Sequence, residues 1–159
     1  MVILGIDPGS VITGYGVIDQ QNGQTRFIEC GAVRTQSGAP LPERLKRIYD
    51  GLWEIITLHR PDQAAIESTF AGKNPMSAMT LGHARGVALL AAANGGLPIS
   101  EYAPREVKQA VVGIGSASKE QIQYMVRVIL KLPRIPKPPD AADALAIALC
   151  HSQRLSRKV

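Results

Sequence analysis

The chain has 159 residues, 45% of them hydrophobic, which is the length of one domain with apolar content enough for a packed core. Its net charge of +5 favours an anionic partner, nucleic acid first among them. No apolar run is long enough to span a bilayer, the N-terminus lacks a secretion-signal pattern, and Cys30 and Cys150 match no metal spacing. A cytoplasmic protein with two reduced thiols and no membrane partner is the expectation.

The run Val2-Ile3-Leu4-Gly5-Ile6 reads as a buried strand that ends on Asp7, and Pro8-Gly9 stops it. A carboxylate there is costly unless it is partnered; a turn cap and a metal ligand are equally good readings of Asp7 alone. Thr13 to Ile18 follows as a second strand whose glycines suit a close hairpin return. Asn22-Gly23 is a turn signal, and a third strand from Thr25 to about Arg34 completes an antiparallel meander. Apolar residues then recur with helical spacing from Leu41 to Ile56, and Arg60-Pro61 ends that helix near His59. Gln63-Ala64-Ala65-Ile66-Glu67 is the next strand, again closing on an acid. A strand reached through a helix usually runs parallel to its neighbour, which would bring Asp7 and Glu67 to one sheet edge.

Between Asn74 and Asn94 lies a helix rich in alanine and glycine, suited to packing on the sheet or to a subunit interface; His83 on it reads as a surface residue. Leu97 to Tyr102 is the fifth strand. The pattern predicts an α/β fold: a mixed five-stranded sheet, three antiparallel strands then parallel ones, with helices on both faces.

From Pro104 to Lys137 seven cations face two acids, a surplus equal to the charge of the whole chain. Val112 to Ser116 forms a glycine-containing loop without Walker spacing, and Ser118 can cap the next helix. The loop, flanked by Lys108 and Lys119, reads as a backbone-contacting element. After a proline-rich connection the last helix opens with Asp140 and Asp143. Three residues apart, they share one face about 4.5 Å apart along the axis. The helix dipole explains one of them; two like charges together invite a cation. Four carboxylates beside a basic flank suit Mg²⁺, which prefers oxygen ligands, and two such ions about 3.5–4 Å apart serve phosphodiester hydrolysis.

Gly5-Ile6-Asp7-Pro8-Gly9-Ser10 with Thr13-Gly14-Tyr15-Gly16, Ile66-Glu67 with Phe70 and Lys73-Asn74, Arg105 through Ser116, and Asp140 through Ala148 resemble the RuvC family of Holliday junction resolvases. The likeness runs from Leu4 to about Cys150. It implies a ribonuclease H-like fold over a single nuclease domain, residues 1–152, with 153–159 as a basic tail. It also implies a homodimer that cuts opposed strands of four-way junction DNA in recombination and repair. Further implications are a RuvA–RuvB branch-migration partner, and two-metal hydrolysis leaving 5′-phosphate and 3′-hydroxyl ends. Asp7, Glu67, Asp140 and Asp143 match the family's acidic tetrad for two Mg²⁺ ions, with Mn²⁺ as substitute. Lys108 and Lys119 match lysines near the scissile phosphate. Phe70 matches an aromatic that stacks on a base, an interaction worth about 1–3 kcal/mol, and Lys73 and Arg105 join the candidate DNA-binding residues. Two rivals compete with this reading. A nucleotide-binding ATPase-like domain needs a second subdomain for which 159 residues leave no room; a non-catalytic junction-binding module would be expected to lack one of the four acids.

Overall fold

The computed structural model describes residues 1–68 and 74–156. Strands β1 (Val2–Asp7), β2 (Ile12–Gln21) and β3 (Gln24–Arg34) form the meander, followed by α1 (Leu41–His59), β4 (Gln63–Glu67), α2 (Pro75–Asn94) and β5 (Ile99–Tyr102). Helices α3 (Pro104–Val112), α4 (Lys119–Ile129) and α5 (Pro139–Ser156) complete the chain. The sheet order is β3-β2-β1-β4-β5. Pairing is antiparallel through β1–β2 and β2–β3, and parallel through β1–β4 and β4–β5. The expected α/β architecture is therefore present, with the fifth strand beginning at Ile99 rather than Leu97 and the basic segment divided into two helices.

Side chains alternate across the sheet, as the pleat requires. On β1, Leu4 and Ile6 join a core with Ile48 and Leu52 of α1 and Ala84, Ala88 and Ala91 of α2. Ile3 points the other way, into a core with Val107 of α3, Val126 of α4 and Leu145 of α5. Helix α1 ends where Arg60 turns left-handed at φ 45°, just before Pro61. The alanine face of α2 is buried, while Met76 and Met79 are exposed and Gly82 and Gly86 meet open space. Packing against α1 and the sheet uses one side of α2 and, among the described residues, leaves the other uncovered. His83 is exposed, as the sequence suggests, Cys150 is buried and Cys30 half-buried.

The strand glycines have a different use from the one read in sequence. A Cβ on Gly5 would stand 2.1 Å from the Ala144 carbonyl oxygen, and one on Gly14 2.1 Å from that of Asp140. On Gly16 it would strike the Leu145 side chain at 2.8 Å. The bulk excluded here belongs to α5, and the hairpin partner strand does not require it. Three bare positions on one face let the α5 backbone lie directly on β1 and β2.

Helix α5 also runs past the domain boundary drawn at residue 152. It continues to Ser156, where Gln20 Nε2 donates to Ser156 Oγ at 2.6 Å and Arg154 pairs with Glu106 at 2.7 Å. Residues 153–156 belong to the folded domain for that reason, and 157–159 lie outside the described residues. Among the described residues no helix is long and apolar enough to cross a membrane.

Gly5→Ala should lower stability by about 2–4 kcal/mol, since the helix backbone it strikes cannot move aside like a side chain. Gly38→Ala, which meets nothing within 4 Å, should stay within about 0.5 kcal/mol of wild type. Parallel urea or thermal melts of the two variants check both.

Candidate active site

Asp7 and Glu67 are the last residues of adjacent parallel strands. Ile6 pairs with Ile66, so the two acids occupy the next position on each strand. Both follow the residues that face α5, Gly5 on β1 and Ala65 on β4, and two-residue periodicity sends their carboxylates to that side. Helix α5 presents Asp143 there, and α4 begins there with Lys119, whose Nζ lies 3.5 Å from Asp143 Oδ2. A capping box starts α4: Ser118 Oγ accepts from the Gln121 amide at 3.2 Å, and Gln121 Oε1 accepts from the Ser118 amide at 2.8 Å. A cation in the first turn opposes the helix dipole, and Asp143 supplies the countercharge that holds it.

These side chains line one cleft of about 250 Å³. Asp7, Glu67 and Asp143 line it together with Lys108 and Lys119, and the buried side chains of Val107, Ile122 and Ala146 complete the lining. Asp140 is not part of the lining, but its charge reaches Asp7. Burial pushes the Asp7 carboxyl up to about 8, helped by the like charges of Glu67, Asp143 and Asp140 and opposed by Lys119. Burial also raises Glu67, with Asp143 adding to it and Lys119 and Lys108 resisting. Asp143 is raised by burial against the pull of Lys119, and Lys119 is raised chiefly by Asp143. With Asp7 protonated at neutral pH, the cleft sets the carboxyls of Glu67 and Asp143 against two lysines. Its all-carboxylate donor set fits a hard divalent cation. Among the described residues, no three His, Cys, Asp or Glu side chains are drawn together tightly enough to close on one ion as they stand.

Arg105 is not in the cleft. Its stem packs where a Cβ on Gly115 would strike it at 2.7 Å, and it lines a separate groove with Glu106 and Arg154. Phe70 and Lys73 lie outside the described residues. The supports of the cleft went unread in the sequence. Buried Thr13 donates through Oγ1 to the Gly9 carbonyl at 2.7 Å, which clamps the loop leaving Asp7. Gly9 is required there, because a Cβ would stand 2.1 Å from the Ile12 carbonyl oxygen. Arg44 donates from Nη2 to Ser10 Oγ at 2.8 Å, and from both Nε and Nη2 to the Ser10 carbonyl. On the other strand, Arg85 of α2 donates to the Glu67 carbonyl at 3.4 Å and pairs with Glu101 at 2.7 Å. The Gly9-to-Thr13 spacing is visible in sequence, but Arg44 and Arg85 carry no local signal.

The family model described as "Crossover junction endodeoxyribonuclease RuvC" matches residues 3–151. The chain belongs to the RuvC family. A crossover junction endodeoxyribonuclease RuvC from Tolumonas auensis is 60% identical over 95% of this chain and 86% of its own length. The RuvC of Pelotomaculum thermopropionicum is 53% identical over 96% of this chain and 93% of its own. The structure of Thermus thermophilus RuvC in complex with a Holliday junction substrate matches with a TM-score of 0.93 at 38% identity, over 99% of this chain and 96% of that one. The resemblance read from the motifs is borne out along nearly the whole chain, and with it the ribonuclease H-like fold.

The raised carboxyls fix a sign for the pH response. A folded-state Asp7 near 8 keeps a proton that the unfolded chain, at about 3.9, has already lost. Folding therefore weakens as pH climbs from about 4 to about 8. Without divalent cations, wild-type thermal midpoints should fall across that window. Asp7→Asn should flatten the fall and melt higher than wild type at pH 8. Calorimetry in chelator at several pH values reads both.

Proposed function

We propose that this chain is a divalent-metal-dependent endonuclease that resolves four-way DNA junctions as a homodimer, by paired nicks in opposed strands. The observation that carries this reading is the half-buried set of Asp7, Glu67 and Asp143, with Asp140 nearby, lining one cleft with Lys108 and Lys119. Family membership and the junction complex of the Thermus thermophilus relative support the substrate.

Asp7, Glu67, Asp140 and Asp143 would hold the metal, Mg²⁺ or Mn²⁺, two ions to a site. When bound, such ions supply Lewis-acid activation of the attacking water and neutralise charge on the departing 3′ oxygen. Asp7 must give up its proton to become a ligand, so metal loading releases protons. Lys119, held by Asp143, lies where it can neutralise the scissile phosphate once the carboxylates turn to the metal. Lys108 offers a second cation from α3. Buried Val107, Ile122 and Ala146 add apolar surface to the lining, and a low-dielectric lining strengthens the charge interactions beside it. Hydrolysis leaves 5′-phosphate and 3′-hydroxyl ends. Phe70, three residues past Glu67, would stack on a base at the opened junction centre, with Lys73 close by in sequence. The outward face of α2, with Met76, Met79 and bare Gly82 and Gly86, suits the dimer interface, and two-fold symmetry matches paired cuts. A cytoplasmic setting with the RuvA–RuvB complex as partner completes the proposal.

Nicking of a synthetic mobile four-way junction should require Mg²⁺ and spare linear duplex. Asp7→Asn should lower it by at least ~100-fold, beyond the loss of an outer-sphere partner, while junction binding persists. Wild-type rates in that variant would sink the metal assignment. Phe70→Ala should reduce cleavage far more than binding, measured by single-turnover nicking beside gel shifts; equal losses would mean the ring only supports the fold.

A further inference from the structure

The cleft accounts for Lys108 of α3 and Lys119 of α4 but not for the cations around the end of β3. β1, β3 and β4 all end at one edge of the sheet, because β2 runs against β1 and β3. Asp7 pairs with Gly14 and Ile12 pairs with Arg34, so Arg34 closes β3 at the same edge as the acids. Two strand spacings of about 4.8 Å separate β3 from β1, and Arg34 lies two residues of about 3.3 Å beyond the level of Asp7, which puts their backbones roughly 12 Å apart. Exposed Arg34 lines two adjoining grooves. One contains Thr35, Arg44 and Arg47, and its wall is tied to the loop after Asp7: Thr35 Oγ1 donates to the Ser10 carbonyl at 2.8 Å. The other contains Lys137 and ends at Pro139, the residue before Asp140.

Arg44 is committed to Ser10. Arg34, Arg47 and Lys137 are exposed, and among the described residues none of them forms an ion pair. Glu43, one turn before Arg47, is the carboxylate on that wall. Three uncommitted cations in grooves tied to the loop after Asp7 and to the residue before Asp140 match a polyanion passing over the site.

We infer that Arg34, Arg47 and Lys137 form a second phosphate-binding ridge, which holds the backbone of the junction arm leaving the cut site. The inference rests on the junction-nuclease reading and extends it. Lys108 and Lys119 grip the strand at the scissile phosphate. The ridge grips the duplex roughly 12 Å away, three to four base-pair rises of ~3.4 Å, and fixes the angle at which that arm exits. Phosphate binding of this kind positions the duplex without reading its sequence.

The test is junction binding by the full-length chain in chelator, comparing wild type with Arg34→Gln/Arg47→Gln/Lys137→Gln across a salt series. The slope of log K against log salt should shrink by about 0.9 for each phosphate that the variant no longer neutralises, some 2–3 in total, with the thermal midpoint and the cleavage-sequence preference unchanged. A junction with neutral methylphosphonate linkages about three to four nucleotides from the cut should bind wild type more weakly. It should bind the variant no more weakly than the unmodified junction, since both changes then remove one and the same interaction. An unchanged slope overturns the ridge, and so does an equal methylphosphonate penalty in both proteins. Wild-type binding of junction no tighter than of linear duplex would instead overturn the reading beneath it, while the slope difference still reports on the three cations.

Discussion

The close seating of α5 on the sheet is the packing on which the rest depends. Gly5, Gly14 and Gly16 leave no side chain between strand and helix, so the carbonyl oxygens of Ala144 and Asp140 stand within reach of the strand backbone. Any Cβ there would lift α5, and with it Asp140 and Asp143, away from Asp7. The buried run of α5 from Ala141 to Ser152, interrupted only at Asp143, shows how completely the helix serves as the spine of its core. Only the acid that must face the cleft is spared full burial.

That arrangement concentrates negative charge where the fold would rather have none. Asp7, Glu67 and Asp143 all hold protons more firmly than they would in water, mainly because burial penalises their charged forms. Lys119 relieves part of the strain, and its place at the start of α4 against the helix dipole makes sense only with Asp143 before it. A site poised this way gives stability up for cation affinity, the usual trade at functional centres. The loop clamps from Thr13, Arg44 and Arg85 are the supports that hold repelling carboxylates on rigid strand ends.

The periodicity of α1, the alanine-rich run of α2, the Asn22-Gly23 hairpin and the acids closing two apolar runs were legible because each is a local pattern with a local cause. Ser118 was legible as a cap for the same reason. The purpose of the strand glycines was not, since a missing side chain does not say what fills the space. Arg105 shares its charge and its segment with Lys108, yet it faces another groove; helical phase decides between them. The end of α5 at Ser156 depends on Gln20 and Glu106, residues 136 and 48 positions away from their partners, and no window of sequence contains both.

By itself the sequence determined which residues are acids, where apolar runs stop and which family the motifs resemble, because those properties belong to single residues and short spacings. Only the tertiary structure decided that Asp7, Glu67 and Asp143 share one cleft and that Asp140 stands at its margin. It alone placed Arg34 on the same edge. Strand direction, register and the phase of α5 set those positions, and each is fixed by packing between segments far apart in the chain. Asp7 alone is a carboxylate at the end of a strand; the helix laid on three glycines gives it company.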